Sequence, residues 1–132
     1  MTILLSDPVK NARLDVIEDI IGVSGVLKII SGAVPVSTDI ADTGLVLATI
    51  QLPSDWMLPA SGGIKELSGS WADSSADNTG TASYFRLYAA DGVTCGMQGT
   101  VGTFDTDMIV LTTSFVATQP FTITEFTMID GN

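Results

Sequence analysis

The chain has no histidine at all. That absence removes the usual general base of Ser/His/Asp and Cys/His nucleophile systems, and every histidine-ligated metal site. Cysteine is nearly missing too. Cys95 stands alone, which excludes an intrachain disulfide and a cysteine zinc cluster; it reads as a small apolar residue in a strand. Positive charge is scarce: five Lys and Arg against fifteen Asp and Glu, a formal net charge of −10. The basic patch that phosphate neutralisation requires is therefore absent, so nucleic acid is not an expected partner. An anionic membrane surface is disfavoured for the same reason. The longest apolar run, Leu45–Leu52, stops at Pro53 and Asp55, too short to span a bilayer. Met1–Leu5 is apolar but lacks a basic flank and is too short for a signal peptide, so use without signal-peptide export is expected. Gly62-Gly63 and Gly99…Gly102 have no Lys-Ser/Thr partner, so no phosphate loop is present.

What remains is an ordered, charge-poor chain. Its 132 residues are 45% hydrophobic and 15% charged, which suits one domain and excludes a disordered tail. A chain of this size buries roughly two thirds of its unfolded surface. Val93–Phe104 carries no charge, and neutral surface of that kind is commonly covered by a partner or by copies of the same chain. The acidic balance favours solubility and steers the chain toward a basic partner.

Charge is concentrated at the front, in Asp7, Lys10, Arg13, Asp15, Glu18 and Asp19; beyond them only Lys28, Lys65 and Arg86 are basic. Asp7-Pro8 is a helix start, with Asp7 as the cap and Pro8 in the first turn. Apolar residues then recur at helical spacing: Val9, Ala12, Val16, Ile17, Ile20 and Ile21, widened by Leu14, with Gly22 as the stop. An amphipathic helix of about four turns must lay its stripe on the chain's own sheet or on a neighbouring subunit. Its position ahead of a complete β pattern favours the neighbour. The expected organisation is an N-terminal arm over 1–22 and a β-sandwich domain over 23–132.

From Val26 the pattern is short strands: Val26–Ile30, Leu45–Leu52, Ile64–Trp71, Thr81–Ala90, Val93–Val101, Asp107–Ser114 and Phe121–Ile129. The connection Pro53–Gly63 holds Trp56, Met57 and Leu58, expected to plug the core or a partner surface. Asp73–Gly80 reads as a polar loop tip. Asp91-Gly92 is the strongest hairpin signal. A two-residue turn there would set Tyr88 against Cys95 and Arg86 against Met97. In the last strand the apolar phase slips between Ile123 and Phe126, as a bulge near Thr124–Glu125 would cause. Seven or eight strands with turns every ~8–12 residues imply a mainly β fold, a β-sandwich of jelly-roll or immunoglobulin-like kind with one short N-terminal helix.

Candidate chemistry is thin. The carboxylate pairs Asp39/Asp42 and Asp105/Asp107 could in principle serve glycoside hydrolysis, but Asp residues close in loop sequence are usually solvated charge, and no enzyme is expected. Asp73, Asp77 and Asn78 offer oxygen ligands for calcium yet lack the Gly and distal Glu of an EF-hand loop; no cofactor or metal is expected. Tyr84, Arg86 and Tyr88 share one strand face. They read either as an anchor patch for a partner or sugar, or as a half-buried sheet face with a snorkelling Arg. Trp56 and Trp71 read as core.

Several segments resemble a widespread group of small tailed-phage virion proteins. They are Lys10-Asn-Ala-Arg-Leu-Asp15, Ile30-Ser31-Gly32-Ala33-Val34-Pro35, Ala41-Asp42-Thr43-Gly44, Leu52-Pro53-Ser54-Asp55-Trp56-Met57, Ala60-Ser61-Gly62-Gly63 with Lys65, Gly80-Thr-Ala-Ser-Tyr-Phe-Arg-Leu-Tyr88, Cys95-Gly-Met-Gln-Gly-Thr100 and Phe121–Asn132. The resemblance covers nearly the whole chain. It implies a virion structural protein assembled in the bacterial host cytoplasm, most simply a head decoration or cement protein. Such a protein clamps neighbouring major capsid subunits and contacts copies of itself, often as a trimer. The alternative it leaves is a tail-associated or tail-fibre module binding host surface carbohydrate or another tail protein. On this reading Lys10, Arg13, Val16, Ile17, Tyr84, Arg86 and Tyr88 are the expected partner contacts.

Overall fold

The structure is a computed structural model that describes residues 3–130; Met1, Thr2, Gly131 and Asn132, which belong to the quoted end segments, lie outside it. Among the described residues the fold is mainly β with one short helix, α1, over Asp7–Ile21. Ser6, not Asp7, is the capping residue, and its side chain makes no capping bond. Asp7 instead opens the first turn, where a carboxylate is favoured by the helix dipole. The helix stops as expected at Gly22, whose N–H donates to the Glu18 carbonyl at 2.8 Å.

The strands are β1 (Val26–Ile30), β2 (Val46–Gln51), β3 (Ile64–Glu66), β4 (Trp71–Asp73), β5 (Gly80–Thr81), β6 (Tyr84–Tyr88), β7 (Cys95–Gly102), β8 (Met108–Ile109), β9 (Ser114–Phe115), β10 (Phe121–Ile123) and β11 (Thr127–Ile129). Five form one sheet in the order β2-β1-β6-β7-β8, antiparallel except for the parallel β7–β8 pair. The others form two-stranded pairs: β10 with β4, β11 with β3, and β5 with β9.

Three expectations change in detail. The strand expected over Ile64–Trp71 is two short strands separated by a turn. The phase slip after Ile123 is a change of partner rather than a bulge: β10 pairs with β4, the strand ends, and β11 pairs with β3. At the hairpin Tyr88 does face Cys95, but a register shift between Leu87 and Tyr88 sets Arg86 against Gln98 instead of Met97. The turn itself uses positive φ only at Gly92, at 71°. The Asp91 carboxylate does the remaining work, accepting the Val93 and Thr94 N–H groups at 2.8 and 2.9 Å and the Thr94 hydroxyl at 2.7 Å. Those bonds, first from the Thr94 and then from the Val93 N–H, hold Asp91 below the usual carboxylate range.

The inner face of the sheet is apolar: Leu27, Ile29, Ile50, Phe85 and Leu87 are all buried. Over it lie side chains from the small pairs and the 53–63 connection. Trp71 sits 6.1 Å from Trp56 and 5.6 Å from Phe126, ring centre to ring centre, and Phe126 meets Phe85 edge-on at 5.5 Å. Trp56 and Met57 plug the core as expected, while Leu58 remains half-exposed. Both indoles find acceptors, Trp56 on the Gly22 carbonyl at 2.9 Å and Trp71 on the carbonyls of Trp56 and Ser68 at 3.2 and 3.1 Å. A buried Trp needs such a partner.

Helix α1 lies on the chain's own β body, the arrangement the sequence placed second. Leu14 and Ile21 are buried and Ile17 packs at the edge of the core. The rest of the contact is polar. Asn11 Oδ1 accepts the Gly63 N–H at 2.9 Å, Asp15 Oδ1 accepts the Ala60 N–H at 3.0 Å, and Glu18 Oε2 accepts the Met57 N–H at 3.0 Å. Lys65, fully buried on β3, places Nζ 2.6 Å from Asp15 Oδ1 and 3.1 Å from Glu18 Oε1. A buried ammonium tolerates removal from water only with such partners. Helix α1 is therefore part of the packed body: it supplies core side chains and the counter-charges of Lys65.

Candidate functional site

The outer face of the central sheet carries a polar row. Arg86 on β6 lies opposite Lys28 on β1 and opposite Gln98 on β7, and Tyr84 and Tyr88 flank it two residues away on the same face. The loop between β1 and β2 folds down over this face. Tyr84 Oη donates to the Thr43 carbonyl at 2.7 Å and accepts the Thr43 N–H at 3.0 Å. Arg86 Nη2 donates to the carbonyls of Ser37 and Ile40 at 3.1 and 2.6 Å, and its Nε donates to Gln98 Oε1 at 3.1 Å. Gln98 Nε2 in turn reaches the Pro35 carbonyl at 2.7 Å.

The three side chains expected to meet a partner are thus covered by the chain's own loop. Tyr84, Arg86 and Tyr88 are 0%, 2% and 5% exposed. Tyr84 and Arg86, with Gln98, pin residues 35–43 to the sheet. Buried in this way, Tyr84 and Tyr88 present no exposed aromatic face.

A cleft of about 360 Å³ remains beneath the loop. Its walls include Lys28, Asp39, Asp42, Arg86, Tyr88 and Cys95. Lys28 Nζ stands 4.7 Å from the centre of the Tyr88 ring, a cation–π distance. Burial opposes the Arg86 charge, but Tyr88 and Cys95 nearby more than offset it and hold the guanidinium above its ordinary pKa. Burial pushes the Tyr88 hydroxyl up, opposed by its bond to Arg86 and helped by the charge of Asp42. Burial likewise raises the half-buried Cys95 thiol, the opposite of an activated nucleophile.

The expected contacts on α1 divide between two faces. Ile17 turns toward the body and Lys10 is half-buried beside Gly63. Arg13 extends outward and its Nε pairs with Asp130 at 3.2 Å. Val16 faces solvent at 46% exposed, together with Val9 at 45%, Ile20 at 79% and, past the helix end, Val23 at 68%. Val9, Val16 and Ile20 fall at helical spacing and form one solvent-facing apolar stripe on α1. Ile3 and Leu4, at 78% and 83%, carry exposed apolar surface ahead of it in the chain.

Asp73, Asp77 and Asp107 are engaged by local structure. Asp73 accepts the N–H groups of Thr49 and Ser75, and Asp77 accepts the Thr49 hydroxyl. Asn78 donates to the Val46 carbonyl. Asp107 accepts both the N–H and the hydroxyl of Thr100. Among the described residues no group of three or more acidic, Cys or His side chains is placed to hold a metal ion, and no helix is long and apolar enough to cross a membrane.

Sequence reasoning missed Lys28, Gln98 and Lys65. The signal for Lys28 was present: a lone charge at the centre of Val26–Ile30, on the face opposite Leu27 and Ile29, marks an outer-face position. Nothing local marks Lys65, whose counter-charges lie 50 residues upstream at Asp15 and nearby at Glu18. No protein-family model, no curated protein and no solved structure matches the chain.

Proposed function

We propose that this chain is a structural component of a tailed-phage particle: a head decoration protein that packs across neighbouring major capsid subunits and against copies of itself, and acts without catalysis. Its body in this reading is a β-sandwich of jelly-roll or immunoglobulin-like kind, with the five-stranded sheet as one layer and the two-stranded pairs as the other. The observation that carries the reading is the unpartnered stripe of Val9, Val16 and Ile20 on α1, with Val23 exposed just past the helix end. From Val9 to Ile20 it runs about 16 Å at helical rise. A contiguous apolar surface on a chain otherwise rich in carboxylates is characteristic of an assembly interface. Arg13 borders the stripe on one side and Asp19 on the other, so both signs of charge stand at its rim, where they set register and partner choice. The resemblance of the sequence segments to small virion proteins supplies the particle.

The test is localisation. A gold-tagged antibody against this chain is applied to intact particles and read by electron microscopy. Label spread over the head is the expected result. Label confined to the tail or its tip, or particles without label, would overturn the head assignment.

A further inference from the structure

The cleft beneath the 35–43 loop contains an arrangement that folding alone does not favour. Lys28 and Arg86 lie directly opposite each other on neighbouring strands. Like charges in that position repel. The chain has only five basic residues against fifteen acidic ones, so a carboxylate neighbour would be easy to supply. Arg13 has Asp130, and Lys65 has both Asp15 and Glu18. Among the described residues, neither Lys28 nor Arg86 has a carboxylate within ion-pair distance. Arg86 is nevertheless 2% exposed, and a buried charge is costly unless it is compensated. Its Nε and Nη2 donate to two carbonyl oxygens and one amide oxygen, which carry no countercharge.

We propose that this cleft binds a carboxylate group, held between the Lys28 ammonium and the Arg86 guanidinium beside the Tyr88 hydroxyl. Three features define the ligand. The cleft, about 360 Å³, suits a small acid or the end of a peptide, not a large molecule. Gln98 and the two loop carbonyls fix the guanidinium plane, as recognition of a planar anion requires. Asp39 and Asp42 also line the cleft, so total negative charge is limited; a single carboxylate is accepted and a doubly charged phosphate is rejected. The loop that forms the roof is fastened by Tyr84, Arg86 and Gln98, so the site is built before the ligand arrives. This site is independent of the stripe on α1 and stands or falls separately from the particle assignment.

The experiment is a titration of the full chain near neutral pH, followed by amide NMR shifts. The probes are sodium acetate, a short peptide with a free C-terminal carboxylate, and sodium phosphate, each against sodium chloride of equal ionic strength. Saturable shifts confined to Lys28, Asp39–Asp42, Arg86 and Val93–Cys95 are expected with acetate and with the peptide. Tighter binding of the peptide identifies a protein chain end as the source; equal affinity identifies a free small acid. Lys28→Gln, a partly exposed position whose loss relieves the repulsion with Arg86, is expected to stay folded and to weaken binding about tenfold. Shifts no larger than those in chloride, unchanged affinity in the folded Lys28→Gln variant, or phosphate binding more tightly than acetate would each overturn the proposal.

Discussion

At the level of single residues, the outer face of the sheet depends on a close approach in the loop that covers it. Gly44 adopts a φ of 82° and lies against the Ser31 carbonyl, where any Cβ would collide with main-chain atoms. Ser31 and Leu45 exchange main-chain and hydroxyl bonds across the same point. Gly44→Ala therefore combines a left-handed backbone with a clash that no side-chain rotation relieves. It is expected to cost about 1–3 kcal/mol or more in urea denaturation; a variant within about 0.5 kcal/mol of the wild type would show that the loop does not close in this way. Alternation along β6 placed Tyr84, Arg86 and Tyr88 on one face in the sequence alone. It did not show that the face is roofed, because residues 35–43 carry no periodic pattern and bond through their carbonyls, which any residue supplies.

At the level of elements, α1 shows how a helix can be legible in extent and hidden in orientation. Pro8 and Gly22 bracket it correctly. The apolar pattern, however, belongs to two stripes: Leu14, Ile17 and Ile21 face the body, and Val9, Val16 and Ile20 face solvent. The choice between them is made by polar residues, since Asn11, Asp15 and Glu18 accept main-chain N–H groups from residues 57–63. Hydrophobic periodicity carries no record of such bonds. A truncated chain beginning at residue 23 would lose Leu14 and Ile21 from the core and strand Lys65 without counter-charge. It is expected to melt at lower temperature than the full chain, or to lose cooperative melting, by circular dichroism; an unchanged melting profile would contradict the integrated helix. Docking should also depend on pH. The bond from Lys65, followed by that from the Ala60 N–H, holds Asp15 below its ordinary value. Its stabilising effect is therefore complete above about pH 4 and lost as pH falls through the lowered folded value. Lys65 has the opposite sign: burial opposes its charge, but Asp15 and Glu18 overcome this and raise its pKa. Its share is present below the ordinary lysine value and lost only as pH rises through the higher folded one. Stability is expected to be flat between these limits and to fall at both ends, with Lys65→Met removing the basic limb and reducing the acidic one, since the Ala60 bond to Asp15 remains.

At the level of the whole molecule, the composition already described a small, acidic, mainly β body suited to packing. It did not reveal the order β2-β1-β6-β7-β8 or the scattering of the other strands into short pairs. Those depend on contacts distant in sequence, such as β11 returning to β3. Val16 lies on an apolar stripe unused by the chain's own core. The net charge of −10 opposes bringing copies together, so contact through the stripe should strengthen with moderate salt as that repulsion is screened.

The most direct measurement is cosedimentation of purified particles lacking this chain with added wild-type protein and with Val16→Asp. An exposed substitution of this kind changes folding by no more than about 0.5 kcal/mol, which a melting curve verifies. Wild-type protein is expected to sediment with the particles in saturable amount, and the folded variant to remain in the supernatant. Equal binding of the two, or no binding of the wild type, would contradict the claim that this stripe docks the chain onto a particle.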